Sequence, residues 1–212
     1  MIITYYGLSC FKVSSGEFVL AFDPPSKKSA LKSPRFQADG VLISHDHDNH
    51  NGYEAISAKE GKEPIKISSP GEYEIGQADI EGILSRHDDQ SGKKLGSSTI
   101  YTVSLEEMRL CHMGDFGEAE LRPETREALG RIDILFLPIG GKDVIGPETA
   151  VKIASQIEPR LIIPMHYEKK ELNDFLKEIG QSGAKPENKL TLKKKDLPEN
   201  KTIVSVLSPA VN

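Results

Sequence analysis

A short apolar run, Val41-Leu42-Ile43-Ser44, empties without a spacer into His45-Asp46-His47-Asp48-Asn49-His50, and this junction constrains the fold more than any other stretch of the chain. The run is too short for a helix and reads as a buried strand. Three of the chain's six histidines fall in the next six residues. If strand alternation carries through, His45 and His47 face one side with Asp46 turned away. His50 lies past the turn, at the entrance to the next element, where it can reach back toward the same region. Imidazole nitrogen suits borderline divalent ions, and catalytic sites pair such ligands with carboxylate and water.

Other strand-like runs end on comparable residues. His87 closes a run ending Ser85-Arg86. Asp115 follows another in His112-Met113-Gly114-Asp115-Phe116-Gly117, where flanking glycines let the backbone turn sharply. His166 terminates Leu161-Ile162-Ile163-Pro164-Met165. Ligands gathered at the same ends of several strands are how a sheet assembles one site from distant sequence.

The remaining pattern is consistent with that. Strands are expected over Ile2–Tyr6, Cys10–Val13, Glu17–Phe22, Val41–Ser44, Ile65–Ser68, Ile80–Leu84, Thr99–Val103 and Met108–His112, with a brief helix over Tyr53–Lys59. Past them the rhythm changes. Helices start at two Pro-Glu-Thr segments, Pro123–Leu129 and Pro147–Ile157, and a third covers Glu171–Ile179. Strands Ile134–Ile139, Leu161–Pro164 and Thr202–Leu207 alternate with them. Strands first and then strands with helices predict a layered α/β arrangement, in one domain spanning 1–212.

Composition narrows the function. Net charge is −5, so no electrostatic pull toward nucleic acid is expected, and Lys193-Lys194-Lys195 reads as a solvated turn. No run is long enough to span a bilayer. Cys10 and Cys111 read as two buried free thiols, and without a signal-like start the expected location is cytoplasmic.

In this order the landmarks resemble the metallo-β-lactamase superfamily, whose first motif is His-x-His-x-Asp-His. The likeness runs from about Ile2 to His166 and implies a four-layer αββα sandwich. The stretches His87-Asp88-Asp89, Cys111-His112-Met113-Gly114-Asp115 and Ile163-Pro164-Met165-His166-Tyr167 resemble in particular the zinc-dependent hydrolases related to the ascorbate-6-phosphate lactonase. Asp23-Pro24 and Leu137-Pro138-Ile139-Gly140-Gly141 fit the same group. The resemblance implies one or two zinc ions, with manganese or iron as alternatives. His45, His47 and His87 would hold the first ion, His50 and His166 the second, and Asp115 would bridge. His112 has no ligand role in that pattern and is expected behind the ligands, as is Asp23, a plausible acceptor for a ligand N–H.

One working residue departs from the motif. Asn49 stands where the family has Asp, so the second ion's set loses a charge and an acid/base group. Asn49 is still expected among the metal ligands and as a catalytic candidate, with Asp48 as a candidate substitute carboxylate and Asp115 as the third catalytic candidate. Tyr73 and Tyr167 are candidate pocket residues, and Gly140-Gly141-Lys142-Asp143 a candidate wall. The segment Lys27–Pro34 reads as a solvated connection, with a lid as the alternative. The expected function is hydrolysis of an ester-like small molecule by metal-activated water. A metal-binding regulatory module with little catalysis is the alternative.

Overall fold

The structure, a computed structural model, describes residues 1–210; Val211 and Asn212, the end of the expected 1–212 domain, lie outside the described residues. Alternation of side chains between the two faces organises its first strands. In β1 (Ile2–Gly7), β2 (Cys10–Ser15) and β3 (Phe18–Phe22), Ile3, Tyr5, Phe11, Val13, Leu20 and Phe22 point to one side and are buried. These strands pair antiparallel, and β4 (Gly40–Leu42) and β5 (Ile65–Ile67) then add in parallel. A second sheet holds β6 (Gly71–Ile75), β7 (Ala78–Arg86), β8 (Ser97–Leu105) and β9 (Met108–His112) as an antiparallel run. It continues in parallel through β10 (Ile134–Pro138) and β11 (Leu161–Met165). The short β12 (Leu190–Thr191) returns to the edge of the first sheet beside β1, and β13 (Ile203–Val204) extends the second beyond β11.

The two sheets share one apolar core. Phe11 and Phe22 of the first meet Phe136 of the second, with ring centroids 4.6 and 6.1 Å apart. Each such buried side chain contributes roughly 1.5–3 kcal/mol. The outer face of the second sheet, through Cys111, Leu135 and Ile162, packs on α1 (Pro123–Leu129), α2 (Pro147–Ile157) and α3 (Lys169–Glu178). The first sheet's outer face, with Val19, Ala21, Val41 and Ile43, is covered by Phe36, Ala38, Tyr53 and Ile56 from its connections. The layers follow the order that the metallo-β-lactamase resemblance implies, except that connections and one short turn rather than a long helix cover that side.

The expected helix over Tyr53–Lys59 is a single 3-10 turn, Tyr53–Ala55. Its N-terminus has no capping side chain, and Gln37 and Lys62 bridge Ser57 and Lys59 into extended pairings just beyond it. So short a helix cannot recover its nucleation cost. The expected last strand, Thr202–Leu207, shortens to β13, whereas β6 was not anticipated because Glu72 and Glu74 flank its single aromatic. Among the described residues no helix is long and apolar enough to cross a membrane.

Strand direction places the site. Because β9, β10 and β11 are parallel, and β7 is two antiparallel steps from β9, all four end at one edge of the second sheet. Residues after β7, β9 and β11 therefore meet there, opposite the end of β4.

Candidate metal centre

Six side chains converge at those strand ends. The backbone at His45–His47 is a bend rather than a continuing strand, since β4 stops at Leu42 and His47 N–H turns back to the His45 carbonyl at 3.1 Å. The imidazoles nevertheless lie side by side, 5.9 Å apart and 19° from parallel. His50 follows on a turn whose N–H returns to the His47 carbonyl at 2.8 Å.

Asp115 is the centre of the group. Its Oδ2 lies 3.2 Å from His87 Nε2, 3.3 Å from His50 Nε2, 3.3 Å from His166 Nε2 and 4.0 Å from His45 Nε2. Burial opposes its ionisation, but His50, His166 and His87 together hold the carboxyl well below the usual carboxylate range. Burial and then His50 push His45 down to about 4. His50 moves the other way: burial works against its charge, yet Asp115 and Asp23 outweigh it and raise the imidazole. Among the described residues, atoms that could hold a metal ion fall into three sets, each within 4.8 Å: His45-His47-His50, His45-His87-Asp115 and His50-Asp115-His166. His87 Nε2 is closed off from solvent and, although 3.2 Å from Asp115 Oδ2, does not meet it in hydrogen-bond geometry. Four imidazole nitrogens crowding one carboxylate oxygen, one of them orphaned, is a donor set that fits divalent cations.

Residues behind the ligands fix their tautomers. Asp23 Oδ1 accepts from Ser44 N–H at 2.7 Å and Oδ2 from Ser44 Oγ at 2.6 Å. With its proton given to Asp23, Ser44 Oγ accepts from His45 Nδ1 at 3.0 Å, which leaves His45 Nε2 unprotonated toward Asp115. Asp23 Oδ2 also lies 3.4 Å from His50 Nδ1. His112 belongs to none of these sets. Its Nε2 donates to the Ser9 carbonyl at 2.8 Å and its Nδ1 accepts from Gly114 N–H at 3.3 Å, while its ring stacks on Phe22. Ser9 Oγ in turn donates to Asp115 Oδ1 at 3.0 Å, leaving Oδ2 for the histidines.

Several of these residues went unread in the sequence. Ser9 and Leu8 form the turn between β1 and β2, and the Leu8 carbonyl accepts both Tyr5 Oη at 3.0 Å and His166 N–H at 2.9 Å. Gly140 packs so closely on the His166 carbonyl that no Cβ fits between them. Leu8, Asp23 and His166 all take left-handed backbone, with φ of 47°, 42° and 53°. Such conformations persist where surrounding contacts over-determine them, which is typical of working sites. The nearest signal to Leu8 and Ser9 is Gly7, which marks a turn without saying what the turn touches.

The centre floors a cavity of about 660 Å³, lined also by Leu8, Asn49, Leu95, Gly140, Lys142, Asp143, Tyr167, Glu168 and Glu171. Tyr167 therefore lies in it, its phenol pushed up to about 12 by burial. Two candidates do not belong. Tyr73 sits on the edge strand β6, its Oη 2.9 Å from Ser69 Oγ, because its ring packs on the core between the sheets. Asp48 turns away from the cavity toward Ser26, whose Oγ lies 3.4 Å from its Oδ1, since the one-residue shift redirects the side chain. The segment Lys27–Pro34 belongs to a connection tied to the histidine loop: Ser26 N–H donates to the Asp48 carbonyl at 2.8 Å, and Ser29 Oγ to Asn49 Oδ1 at 2.6 Å.

Comparison with known proteins accords with the geometry. The chain is 28% identical to a UPF0173 metal-dependent hydrolase of Bacillus thuringiensis, over 79% of this chain and 86% of that one. It is also 28% identical to a UPF0173 metal-dependent hydrolase of Thermococcus onnurineus, over 78% and 84%. A crystal structure from Thermotoga maritima, assigned as a Zn-dependent hydrolase of the metallo-β-lactamase superfamily, superposes with a TM-score of 0.78 at 29% identity. That match covers 98% of this chain and 99% of the other. The family described as the Beta-lactamase superfamily domain matches residues 2–166, from the first strand through the last histidine of the centre, and the chain belongs to that superfamily.

Proposed function

We propose that this metal-dependent hydrolase cleaves an ester-like bond in a small molecule, a lactone, thioester or phosphoester, with water activated at the His/Asp centre, and that zinc is its ion. The observation that carries the reading is the convergence of His45, His50, His87 and His166 on Asp115 Oδ2. A divalent ion, when bound, supplies Lewis acidity and brings the pKa of its water down toward about 7. His45, His47 and His87 would hold one ion and His50 and His166 another, with Asp115 between.

The chain's own groups do the remaining work. Ser9 keeps Asp115 Oδ1 occupied, so the carboxylate stays in one orientation. Leu8, Leu95 and Tyr167 give the cavity apolar surface, and its size suits a metabolite rather than a polymer. Among the described residues Lys142 is the one Lys or Arg on its walls, and it would receive an anionic group of the substrate. No acid faces the cavity at position 49, so a bond needing little leaving-group protonation, such as a lactone or thioester, is favoured. The lactone version draws further support from the sequence likeness to the ascorbate-6-phosphate lactonase group.

The test is a panel of lactones, thioesters and phosphoesters with zinc- or manganese-loaded protein. Turnover that disappears on chelation and in Asp115→Asn is the expected result. A loaded protein inert across the panel would replace this reading with that of a metal-binding regulatory module.

A further inference from the structure

Asn49 is held by a residue that does not itself line the cavity. Ser29 Oγ donates to Asn49 Oδ1 at 2.6 Å, and the same oxygen accepts from Leu31 N–H at 3.0 Å. A hydroxyl has one proton to give. Leu31 N–H takes a lone pair of Ser29 Oγ, and the Ser29 proton is directed at the amide oxygen. Asn49 lines the cavity and Ser29 does not, and with Oδ1 engaged by Ser29 the group that the amide has left to offer there is its NH2. An amide NH2 donates hydrogen bonds and offers no lone pair to a cation. Ser29 is itself anchored: its N–H donates to the Ser26 carbonyl at 3.1 Å, and Ser26 Oγ accepts from Lys28 N–H at 3.2 Å.

We propose that Ser29 is a positioning residue that keeps Asn49 out of the second ion's coordination. His50, Asp115 and His166 are then that ion's protein ligands, and Asn49 presents its NH2 to an oxygen of the substrate. The exchange of the motif's Asp for Asn thereby turns a ligand position into a hydrogen-bond donor, with Ser29 setting its direction. The inference rests on the metal-centre part of the function proposed above and not on turnover.

Zinc titration of the stripped full-length protein against a chromophoric chelator tests it, with thermal unfolding confirming that each variant is folded. Asn49→Ala should leave the weaker zinc affinity within about twofold of the parent, because the Asn49 side chain bonds to Ser29 and, unlike Asp23, orients no imidazole of the centre. Ser29→Ala frees the amide to rotate its oxygen inward and should tighten that site by roughly threefold or more. The gain should vanish in the Ser29→Ala/Asn49→Ala double variant, as coupling between the two residues requires. Ser29→Thr keeps the hydroxyl and should behave as the parent, an outcome that loss of loop packing alone would not produce. A loss of affinity of roughly tenfold or more in Asn49→Ala would show that the Asn49 side chain supports the ion in the parent and would overturn the proposal. Parent-like affinity in Ser29→Ala would overturn it as well. Failure to bind zinc at all would instead remove the metal-centre reading, so the two failures are distinguishable.

Discussion

Replacing Asp23 by Asn should weaken both the fold and the metal centre, although Asp23 is not in any set of ligand atoms. Asp23 is buried and has φ of 42°, a conformation that Asn accepts far better than Ala, so the backbone is not strained further. Its Oδ1 can still accept from Ser44 N–H as the carboxylate does now, at 2.7 Å. What disappears is the second oxygen, which accepts from Ser44 Oγ at 2.6 Å and lies 3.4 Å from His50 Nδ1. An NH2 there faces two donors, and Ser44 relieves the clash by giving its proton to His45 Nδ1 instead. His45 then carries its proton on Nε2, the atom that faces Asp115. One buried hydrogen bond to a charged group is worth about 1.5–3 kcal/mol, and the longer His50 contact adds less, so a loss of about 3 kcal/mol is expected. For a chain of this length that lowers Tm by roughly 6–12 °C. Loss of an orienting partner behind a ligand His should cost about 10–100-fold in zinc affinity. Calorimetric unfolding of the metal-free protein reads the first effect and chelator competition the second. If Asp23→Asn kept Tm within about 1 °C and zinc affinity within about twofold, the tautomer chain from Asp23 through Ser44 to His45 would be refuted.

Further outcomes follow from the same structure. Gly140→Ala places a methyl against the His166 carbonyl, which is backbone and cannot move cheaply; a loss of about one zinc per chain is expected by elemental analysis, with destabilisation on the order of 1–3 kcal/mol. Full zinc retention would contradict the close packing. Zinc at about 100 times its Kd should stabilise the stripped protein by about 2.7 kcal/mol, or roughly 5–11 °C in Tm. An unchanged Tm under saturating zinc would count against a centre that forms only in the folded chain. Burial pushes both thiols up, Asp23 adding to the effect at Cys10, so neither Cys10 nor Cys111 should alkylate in the native protein at about pH 7.5. Both should react once denatured, and native labelling of Cys10 would show that the β2 end opens.

How far residues could be read before folding depended on whether their signal was local. The junction of Val41–Ser44 with His45–His50 carries its own evidence, because clustering and spacing are properties of adjacent residues. The Pro-Glu-Thr starts of α1 and α2 were equally clear, since Pro at the first helical position is a local preference. Tyr73 and the Tyr53–Lys59 segment misled for the opposite reason. Each is locally compatible with the expected role, and what decided otherwise was the packing of the Tyr73 ring on the core and the extended pairings that truncate the turn.

The sequence by itself therefore determined the ligand types and their order, the layered α/β class and the departure at Asn49. Side-chain chemistry and short-range periodicity are written residue by residue. Only the tertiary structure decided that the ends of β7, β9 and β11 share an edge opposite the end of β4, which puts four imidazoles around one carboxylate oxygen. It alone also brought in Ser9, Leu8 and Ser29, and set Gly140 of the expected wall against the His166 carbonyl. A serine hydroxyl or a glycine gap has no meaning until a partner distant in sequence arrives beside it, and that arrival is set by strand direction and core packing rather than by any local preference.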